Sequence, residues 1–281
     1  MSSKQKVLLL GATGETWSSI LEGLLEADQF VDARTSILVR PASAEKPAVQ
    51  KLHDRGIQSR LSELSAPEEE LTATLSGIDI LIGKSLVAPP NGVMILPPCT
   101  TNNPQKEEIY NEIKRVVLPY TILDVGFWHQ ISFPPIPSGR LDYIVTMGIR
   151  PTIHTRIIVD DRTINKYVYP WSDVLSENEI FYIVEELSGE KIAKRDTDST
   201  SSNQTSRLNL ACNPQDLISQ IIAYITEYQY SKYVRGDNQP SYTRFLGYLD
   251  ARELYPDFKP ISFRECFHEV LDGNGRRPYQ G

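Results

Sequence analysis

A short apolar strand, followed by a glycine turn and an amphipathic helix, constrains the fold of this chain more than any other feature. Val7–Leu10 is a continuous apolar run, which is typical of a strand buried on both faces of a parallel sheet. The run ends at Gly11-Ala12-Thr13-Gly14, apolar residues then recur at helical spacing over 18–27, and Thr35–Val39 again has the composition of a strand. The sequence therefore predicts the β-α-β unit that opens a Rossmann-type domain.

Helices and strands continue to alternate beyond this unit, which predicts an α/β fold with a doubly wound parallel sheet. Lys84–Asn103 holds four prolines and is expected to be mostly loop, and Lys191–Arg207 is expected to be an exposed or mobile connection. We assign a dinucleotide-binding domain to 1–130 and a smaller α/β substrate-binding region, interleaved with the first, to 131–281. The remaining expected elements are helices at Pro47–Arg55, Pro67–Leu75, Lys106–Val116, Glu177–Leu187 and Asp216–Val234, and strands at Ile78–Ile82, Tyr120–Val125, Arg156–Val159 and Tyr167–Tyr169.

The residue that closes the second strand indicates which nicotinamide cofactor the turn would select. In a dinucleotide site, glycines let the backbone approach the pyrophosphate, and the helix N-terminus supplies unpaired N–H groups. An acid at the end of the second strand holds a ribose 2′-hydroxyl, whereas an arginine pairs with a 2′-phosphate. Arg40 stands there, so NADP(H) is favoured; the alternative is a solvated arginine at a strand end.

Trp17 departs from the dinucleotide-binding pattern. It occupies the third glycine position, where a small residue normally permits close packing of helix on strand. A bulky indole there either pushes the helix off the sheet or fills space meant for the cofactor, at a cost of a few kcal/mol in affinity. Loss of cofactor binding therefore remains an alternative interpretation.

Charge and cysteine content exclude several classes of partner. The 29 basic and 36 acidic side chains give a net charge of −7, so no general positive field attracts nucleic acid or an anionic membrane. Three widely spaced cysteines form no zinc motif and no disulfide framework, which favours reduced thiols in a cytoplasmic protein. The four histidines show no metal-ligand spacing. We expect a small hydrophobic substrate, and a monomer or homodimer.

Four segments of the chain match a known family pattern: Gly11-Ala12-Thr13-Gly14-Glu15-Thr16, Leu38-Val39-Arg40-Pro41, Leu118-Pro119-Tyr120-Thr121-Ile122 and Leu246-Gly247-Tyr248-Leu249-Asp250. In these segments the chain resembles the NmrA-like and isoflavone-reductase-like group of atypical short-chain dehydrogenases, and the resemblance covers most of the chain. Members of that group are usually NADPH-dependent reductases of aromatic or other secondary metabolites, while a few bind the nucleotide as redox-sensing regulators. The resemblance implies cofactor-binding roles for Gly11, Thr13, Gly14, Glu15, Thr16 and Arg40.

The same resemblance implies a catalytic lysine at the start of the helix before the Pro-Tyr-Thr strand, and Lys106 is the matching position. Its ammonium could polarise a substrate carbonyl or protonate the oxyanion; a solvated surface lysine is the alternative. Tyr110 lies one helical turn later, where it would either reach the same substrate oxygen or pack in the core. Phe127, Trp128 and His129 follow a strand at its carboxyl end and are expected to line the substrate pocket.

Two segments are shorter than in the resembled group. Gly83-Lys84-Ser85-Leu86 replaces a crossover helix and strand, and a second shortening falls near Tyr143–His154. Divergence to another role, decay of a paralogue and a misread gene model all explain these losses. A sheet that lacks a strand has an edge that must be covered.

These observations together predict an NADP(H)-dependent oxidoreductase that reduces a small hydrophobic or aromatic carbonyl or enone in secondary-metabolite biosynthesis. Two alternatives stay open at this point. One is an NADP(H)-sensing regulatory protein without catalysis, and the other is a non-redox cyclase or isomerase on the same scaffold.

Overall fold

A computed structural model describes most of the chain as parallel β-sheets with flanking helices. The side chains of 15–19, 26, 104–107, 130 and 131 lie outside the description. The described residues are 5–13, 15–26, 35–83, 104–125, 129–141, 156–158, 160–193, 204–205, 208–209, 216, 218–219, 222–223, 226–227 and 230–274.

The described residues up to Gly83, with 156–158 and Asp160, belong to a first compact unit, which is built on a four-stranded parallel sheet of order β3-β2-β1-β4. The middle strands β1 and β2 have the predicted bounds. The elements of this unit are β1 (Val7–Leu10), α1 (Glu15–Glu26), β2 (Thr35–Val39), α2 (Pro47–His53), β3 (Gln58–Leu61), α3 (Glu68–Leu75) and β4 (Ile80–Ile82).

The core of the first unit lies between β1, β2 and the helices α1 and α2. Leu9, Leu21 and Ile37 have no exposed surface, and each buried aliphatic side chain contributes about 1.5–3 kcal/mol. Arg55, just beyond α2, makes a bidentate ion pair with Glu22 of α1, with N···O distances of 2.7 and 2.8 Å. The predicted α/β fold with a parallel sheet is therefore confirmed.

The second unit holds a three-stranded parallel sheet of order β5-β6-β7. Its core joins the helices over Glu177–Ser188 and Phe263–Glu269 through Val184, Phe263 and Phe267, all of them fully or almost fully buried. Its elements are α4 (Pro104–Arg115), β5 (Thr121–Leu123), β6 (Lys166–Tyr169), α5 (Glu177–Ser188), α6 (Pro240–Phe245), β7 (Leu249–Asp250), α7 (Ala251–Leu254) and α8 (Phe263–Glu269), with short 3-10 helices at His129–Ser132 and Asp161–Thr163 and π-helical turns at Tyr230–Arg235 and Val270–Asn274.

One predicted strand is wrong. Residues 156–158 are helical, not extended, and the backbone N–H of Asp160 donates to the carbonyl of Ile157. Ile157 is fully buried while Arg156 is exposed and Ile158 is half-buried, so burial of one side chain fixes this turn, although β-branched residues favour a strand.

Other predictions lie partly outside the described residues. The loop expected over Lys84–Asn103 lies wholly outside them. Parts of the helix expected over Asp216–Val234 do too; within it 218–219, 222–223 and 226–227 are helical and 230–234 belong to a π-helical turn. The division of the chain at residue 130 stays a prediction.

Candidate functional site

The turn after β1 has the backbone geometry that its glycine predicts. Gly11 has φ of 75°, in the left-handed region that glycine adopts without steric cost. Ala12 is 4% exposed and packs into the core of the first unit, whereas Thr13 is exposed. The chain therefore turns sharply from the carboxyl end of β1 into the N-terminus of α1, where backbone N–H groups and the helix dipole favour an anion.

Arg40 stands at the same edge of the first sheet as this turn. Leu10 of β1 pairs with Leu38 of β2, so Gly11 and Arg40 both follow the carboxyl ends of neighbouring strands. The Arg40 side chain is exposed and bonds to no other described residue, while its carbonyl accepts a hydrogen bond of 2.8 Å from the Ser43 N–H. Lys46, which caps α2, is a second exposed cation in this segment.

Three of the predicted cofactor contacts, and Trp17, lie outside the described side chains. Gly14 lies outside the described residues, and Glu15, Thr16 and Trp17 stand in the first turn of α1 without described side chains. Their roles, and those of Gly11, Thr13 and Arg40, stay predictions.

In the second unit, α4 carries Lys106 in its first turn and Tyr110 one turn later. The side chain of Lys106 is outside the description, whereas Tyr110 is half-buried and meets the ring of Tyr167 edge-on, with centroids 6.1 Å apart. Tyr167 stacks on Tyr248 at 4.9 Å and accepts a hydrogen bond of 3.2 Å from Lys114 Nζ. The Tyr110 ring thus helps to hold α4 against β6, and a catalytic role for Tyr110 or Lys106 stays a prediction.

His129 lies beyond the carboxyl end of β5, beside residues that follow the neighbouring strand β6. Its Nε2 is 2.8 Å from Ser172 Oγ and 3.8 Å from a carboxylate oxygen of Asp173, and its ring meets Phe263 edge-on with centroids 5.6 Å apart. The same Asp173 oxygen accepts a hydrogen bond from the Phe263 N–H in the first turn of α8. Burial lowers the pKa of His129, and the negative charge of Asp173 opposes that shift. Phe127 and Trp128 lie outside the described residues.

A second polar group joins the carboxyl ends of β6 and β7. The Trp171 indole N–H lies 3.1 Å from both carboxylate oxygens of Asp250, and the Arg252 guanidinium covers the indole ring at 4.4 Å. Tyr169 donates its hydroxyl to the carbonyl of Asn238 at 3.3 Å, and burial, then the charges of Asp250 and Asp124, raise the pKa of the phenol. Tyr169 therefore stays protonated and has a packing role.

Sequence reasoning missed Ser172, Asp173 and the contact between Trp171 and Asp250. Asp250 closes the Leu-Gly-Tyr-Leu-Asp segment, which signalled its importance without giving its contact. Ser172 and Asp173 follow β6 directly, and the polar residues after a predicted parallel strand were the signal that could have found them.

Neither a metal site nor a membrane span is found in the part of the chain that the structure describes. No group of three or more histidine, cysteine or acidic side chains converges there on a point that could hold an ion. Among the same residues, no helix combines the length and apolarity needed to cross a bilayer.

The architecture defines the chain as an α/β protein of the Rossmann type, and known structures share it. AtPrR2 with NADP+ and (+)pinoresinol is 18% identical with a TM-score of 0.68, over 96% of this chain and all of that one. The leucoanthocyanidin reductase–NADPH complex from Vitis vinifera is 15% identical with a TM-score of 0.65, over 95% of this chain and 99% of the other. At these identities the likeness shows the fold. No protein-family model matches the chain.

Sequence similarity to a curated protein extends over nearly the whole chain. Asnovolin J 5′,6′-dehydrogenase nvfM of Aspergillus novofumigatus is 32% identical over 313 positions, 95% of this chain and 95% of that protein. The chain belongs to the NmrA-like and isoflavone-reductase-like family of atypical short-chain dehydrogenases, which confirms the resemblance seen in the sequence. Because 313 aligned positions exceed the 281 residues of the chain, the alignment contains gaps here, in agreement with a shortened member.

Proposed function

We propose that this protein is an NADP(H)-dependent oxidoreductase that reduces a small hydrophobic or aromatic carbonyl or enone in secondary-metabolite biosynthesis. The observation that carries the proposal is its 32% identity, over 95% of both chains, with a protein named as a dehydrogenase of asnovolin J. Two structures of the same fold, known with NADP+ and with NADPH, support the choice of cofactor class.

The described residues of the first unit fit this cofactor. The glycine turn leads into the N-terminus of α1, which suits a pyrophosphate, and Arg40 offers an exposed guanidinium to a 2′-phosphate. Gly11, Thr13, Gly14, Glu15 and Thr16 would hold the diphosphate through the turn and the first helical turn. When bound, the nicotinamide supplies hydride chemistry.

Residues of the second unit would act on the substrate. We assign to Lys106 the polarisation of the substrate oxygen through its ammonium, and to Tyr110 a supporting hydroxyl on the same helix face. Phe127, Trp128 and His129, beyond the carboxyl end of β5, would contact the apolar body of the substrate. A cytoplasmic location, a monomeric or homodimeric state and a domain boundary near residue 130 belong to the same proposal.

Calorimetric titration with NADPH and NADH, on the wild type and on Trp17→Gly, tests cofactor binding. We expect NADPH to bind more tightly than NADH, and tighter binding by Trp17→Gly would show that the indole crowds the site. If neither nucleotide binds to the wild type, the proposal is wrong, and turnover without nucleotide would point to the cyclase or isomerase alternative.

NADPH consumption with a panel of aromatic ketones and enones tests catalysis. Lys106→Ala should abolish turnover while leaving NADPH affinity unchanged, since the lysine is assigned to the substrate oxygen. Lys114→Ala, at the other end of α4, is the matched control and should retain turnover. NADPH binding without turnover on any compound of the panel would favour the sensor alternative.

A further inference from the structure

His129 is held by described residues at one of its two ring nitrogens. Ser172 Oγ and Asp173 both face Nε2, at 2.8 and 3.8 Å. No described residue bonds to Nδ1. The side chain as a whole is 20% exposed, so part of the ring is open to a ligand.

The charge of Asp173 selects the tautomer of this ring. A carboxylate 3.8 Å from Nε2 favours the form that carries its proton on Nε2, since an N–H dipole then points towards negative charge. In that tautomer Ser172 Oγ, 2.8 Å from Nε2, would accept the Nε2–H in a hydrogen bond. Asp173 keeps its own position because the Phe263 N–H donates to it. In this arrangement Nδ1 carries a lone pair and acts as an acceptor.

The location of this acceptor suits a ligand. The ring lies beyond the carboxyl end of β5, and Ser172 and Asp173 follow the carboxyl end of β6, which pairs with β5 in parallel. Ligands of open α/β sheets bind outside the carboxyl ends of the strands. The edge-on contact with Phe263 gives the ring an apolar support on the side of α8. A ligand at this edge thus meets one acceptor on a largely apolar imidazole.

We propose that Nδ1 of His129 accepts a hydrogen bond from a hydroxyl group of the substrate, with Ser172 and Asp173 as the positioning residues that hold the ring in this state. The inference rests on the proposed substrate role of this edge and narrows the substrate class to hydroxylated hydrophobic compounds, phenols or alcohols. A ligand that offers only a carbonyl or ether oxygen at this point meets a lone pair and is disfavoured.

Long-range ¹H–¹⁵N NMR correlation of the histidine rings tests the tautomer in the free protein. We expect the His129 proton on Nε2, and Asp173→Asn should shift the population towards the Nδ1–H form. A proton on Nδ1 in the wild type would overturn the proposal. Ser172→Ala tests the effect of Asp173 by itself: without the Ser172 hydroxyl, the charge of Asp173 should still keep the proton on Nε2.

Binding of two matched probes, guaiacol and its O-methyl ether veratrole, tests the ligand class without nucleotide. Guaiacol should bind roughly tenfold more tightly than veratrole, and its addition should shift the Nδ1 resonance of His129. His129→Phe should remove this preference and His129→Gln, whose amide oxygen can accept, should restore much of it. His268→Phe on the exposed face of α8 should leave the preference unchanged.

Equal affinity for both probes in the wild type, or no binding of guaiacol, would overturn the inference. Because neither measurement involves NADPH or turnover, failure of the reductase assay leaves these results interpretable. A guaiacol preference in a protein that consumes no NADPH would refute the proposed function alone.

Discussion

Leu10 and Leu38 pair in the parallel register of β1 and β2, and this pairing places Gly11, which opens the glycine turn, and Arg40, which follows β2, at one edge of the sheet. The hydrogen bonds between β1 and β2 therefore determine how the turn at Gly11 and the cation at Arg40 lie relative to each other. The core beneath them is fully buried, with Leu9 and Ile37 without exposed surface, so their spacing is fixed by packing.

Arg40→Ala should weaken NADPH binding roughly 10- to 100-fold and leave NADH binding almost unchanged. The reason is that a charge-assisted contact to the 2′-phosphate, worth about 1.5–3 kcal/mol, exists only for NADPH. Calorimetric titration of both nucleotides measures the effect. Arg264→Ala, which removes an exposed arginine that pairs with Glu186 in the second unit, is the control. Equal losses for NADPH and NADH would contradict 2′-phosphate recognition by Arg40.

Val117→Gly should stabilise the protein by about 0.5–1 kcal/mol. Val117 ends α4 with φ of 55°, and a left-handed backbone costs an L-residue about 1–2 kcal/mol, partly offset by the greater freedom of glycine in the unfolded chain. The Leu118 N–H reaches back to the Ile113 carbonyl at 3.1 Å, so the turn closes the helix as a Schellman motif. The valine side chain is 84% exposed, and its removal loses little packing.

Urea unfolding of Val117→Gly and Val116→Gly forms a matched pair for this test. Val116 precedes the left-handed position and is not in a positive-φ conformation, so glycine there should destabilise by about 0.5–1 kcal/mol. Destabilisation of similar size by both substitutions would refute the left-handed conformation at 117.

The contact between Trp171 and Asp250 should show strong coupling in a double-mutant cycle. Asp250→Ala leaves the indole N–H unpaired and removes the carboxylate that accepts the Arg252 N–H at the start of α7, at a cost of about 2–4 kcal/mol. Trp171→Phe keeps most of the ring. The double variant should cost less than the two single variants together, by about 1–2 kcal/mol.

Chemical denaturation of the four proteins measures this coupling. Glu253→Ala is the control, because its exposed carboxylate pairs with the exposed Arg244 side chain and should change stability by less than about 0.5 kcal/mol. Strict additivity of the two single variants would show that the indole and the carboxylate do not interact in solution.

The strands that the sequence located are those whose side chains are buried on both faces. Val7–Leu10 and Thr35–Val39 are predicted with correct bounds because a central parallel strand needs a continuous apolar run. Gln58–Leu61 was not predicted, since this outer strand of the four carries mainly polar side chains. Its place depends on pairing with β2, which is a tertiary contact.

The sequence patterns also missed the cap of α5 and the residues that contact His129. The helix over Glu177–Leu187 is predicted without its cap, which is Ser176: its hydroxyl accepts from the Glu179 N–H while the Glu179 carboxylate accepts from the Ser176 N–H. His129 was singled out from the sequence, whereas its partners 43 and 44 residues later were not. Only the order β5-β6-β7 brings them together, and local patterns do not determine strand order.

The half-buried imidazole of His129 should make the protein less stable as pH falls from neutrality. Burial lowers the pKa of His129 in the folded state below its ordinary value of 6.5, despite the opposing charge of Asp173. Between 6.5 and the lower folded value, the unfolded chain therefore binds more protons, and stability is lost as pH falls through this window. Some carboxylates, such as Glu186 beside Arg264, have a pKa that is lowered by their contacts. They change the stability of the protein only in more acidic solution.

Urea unfolding at about pH 7.5 and about pH 5.5 isolates this contribution, since the carboxylates remain ionised over that interval. The free energy of unfolding of the wild type should fall between the two conditions, and His129→Gln, which cannot titrate, should show a smaller fall. His268→Gln on the exposed side of α8 should retain the wild-type decline. An unchanged pH dependence in His129→Gln would mean that burial does not lower the pKa of this imidazole in the folded protein.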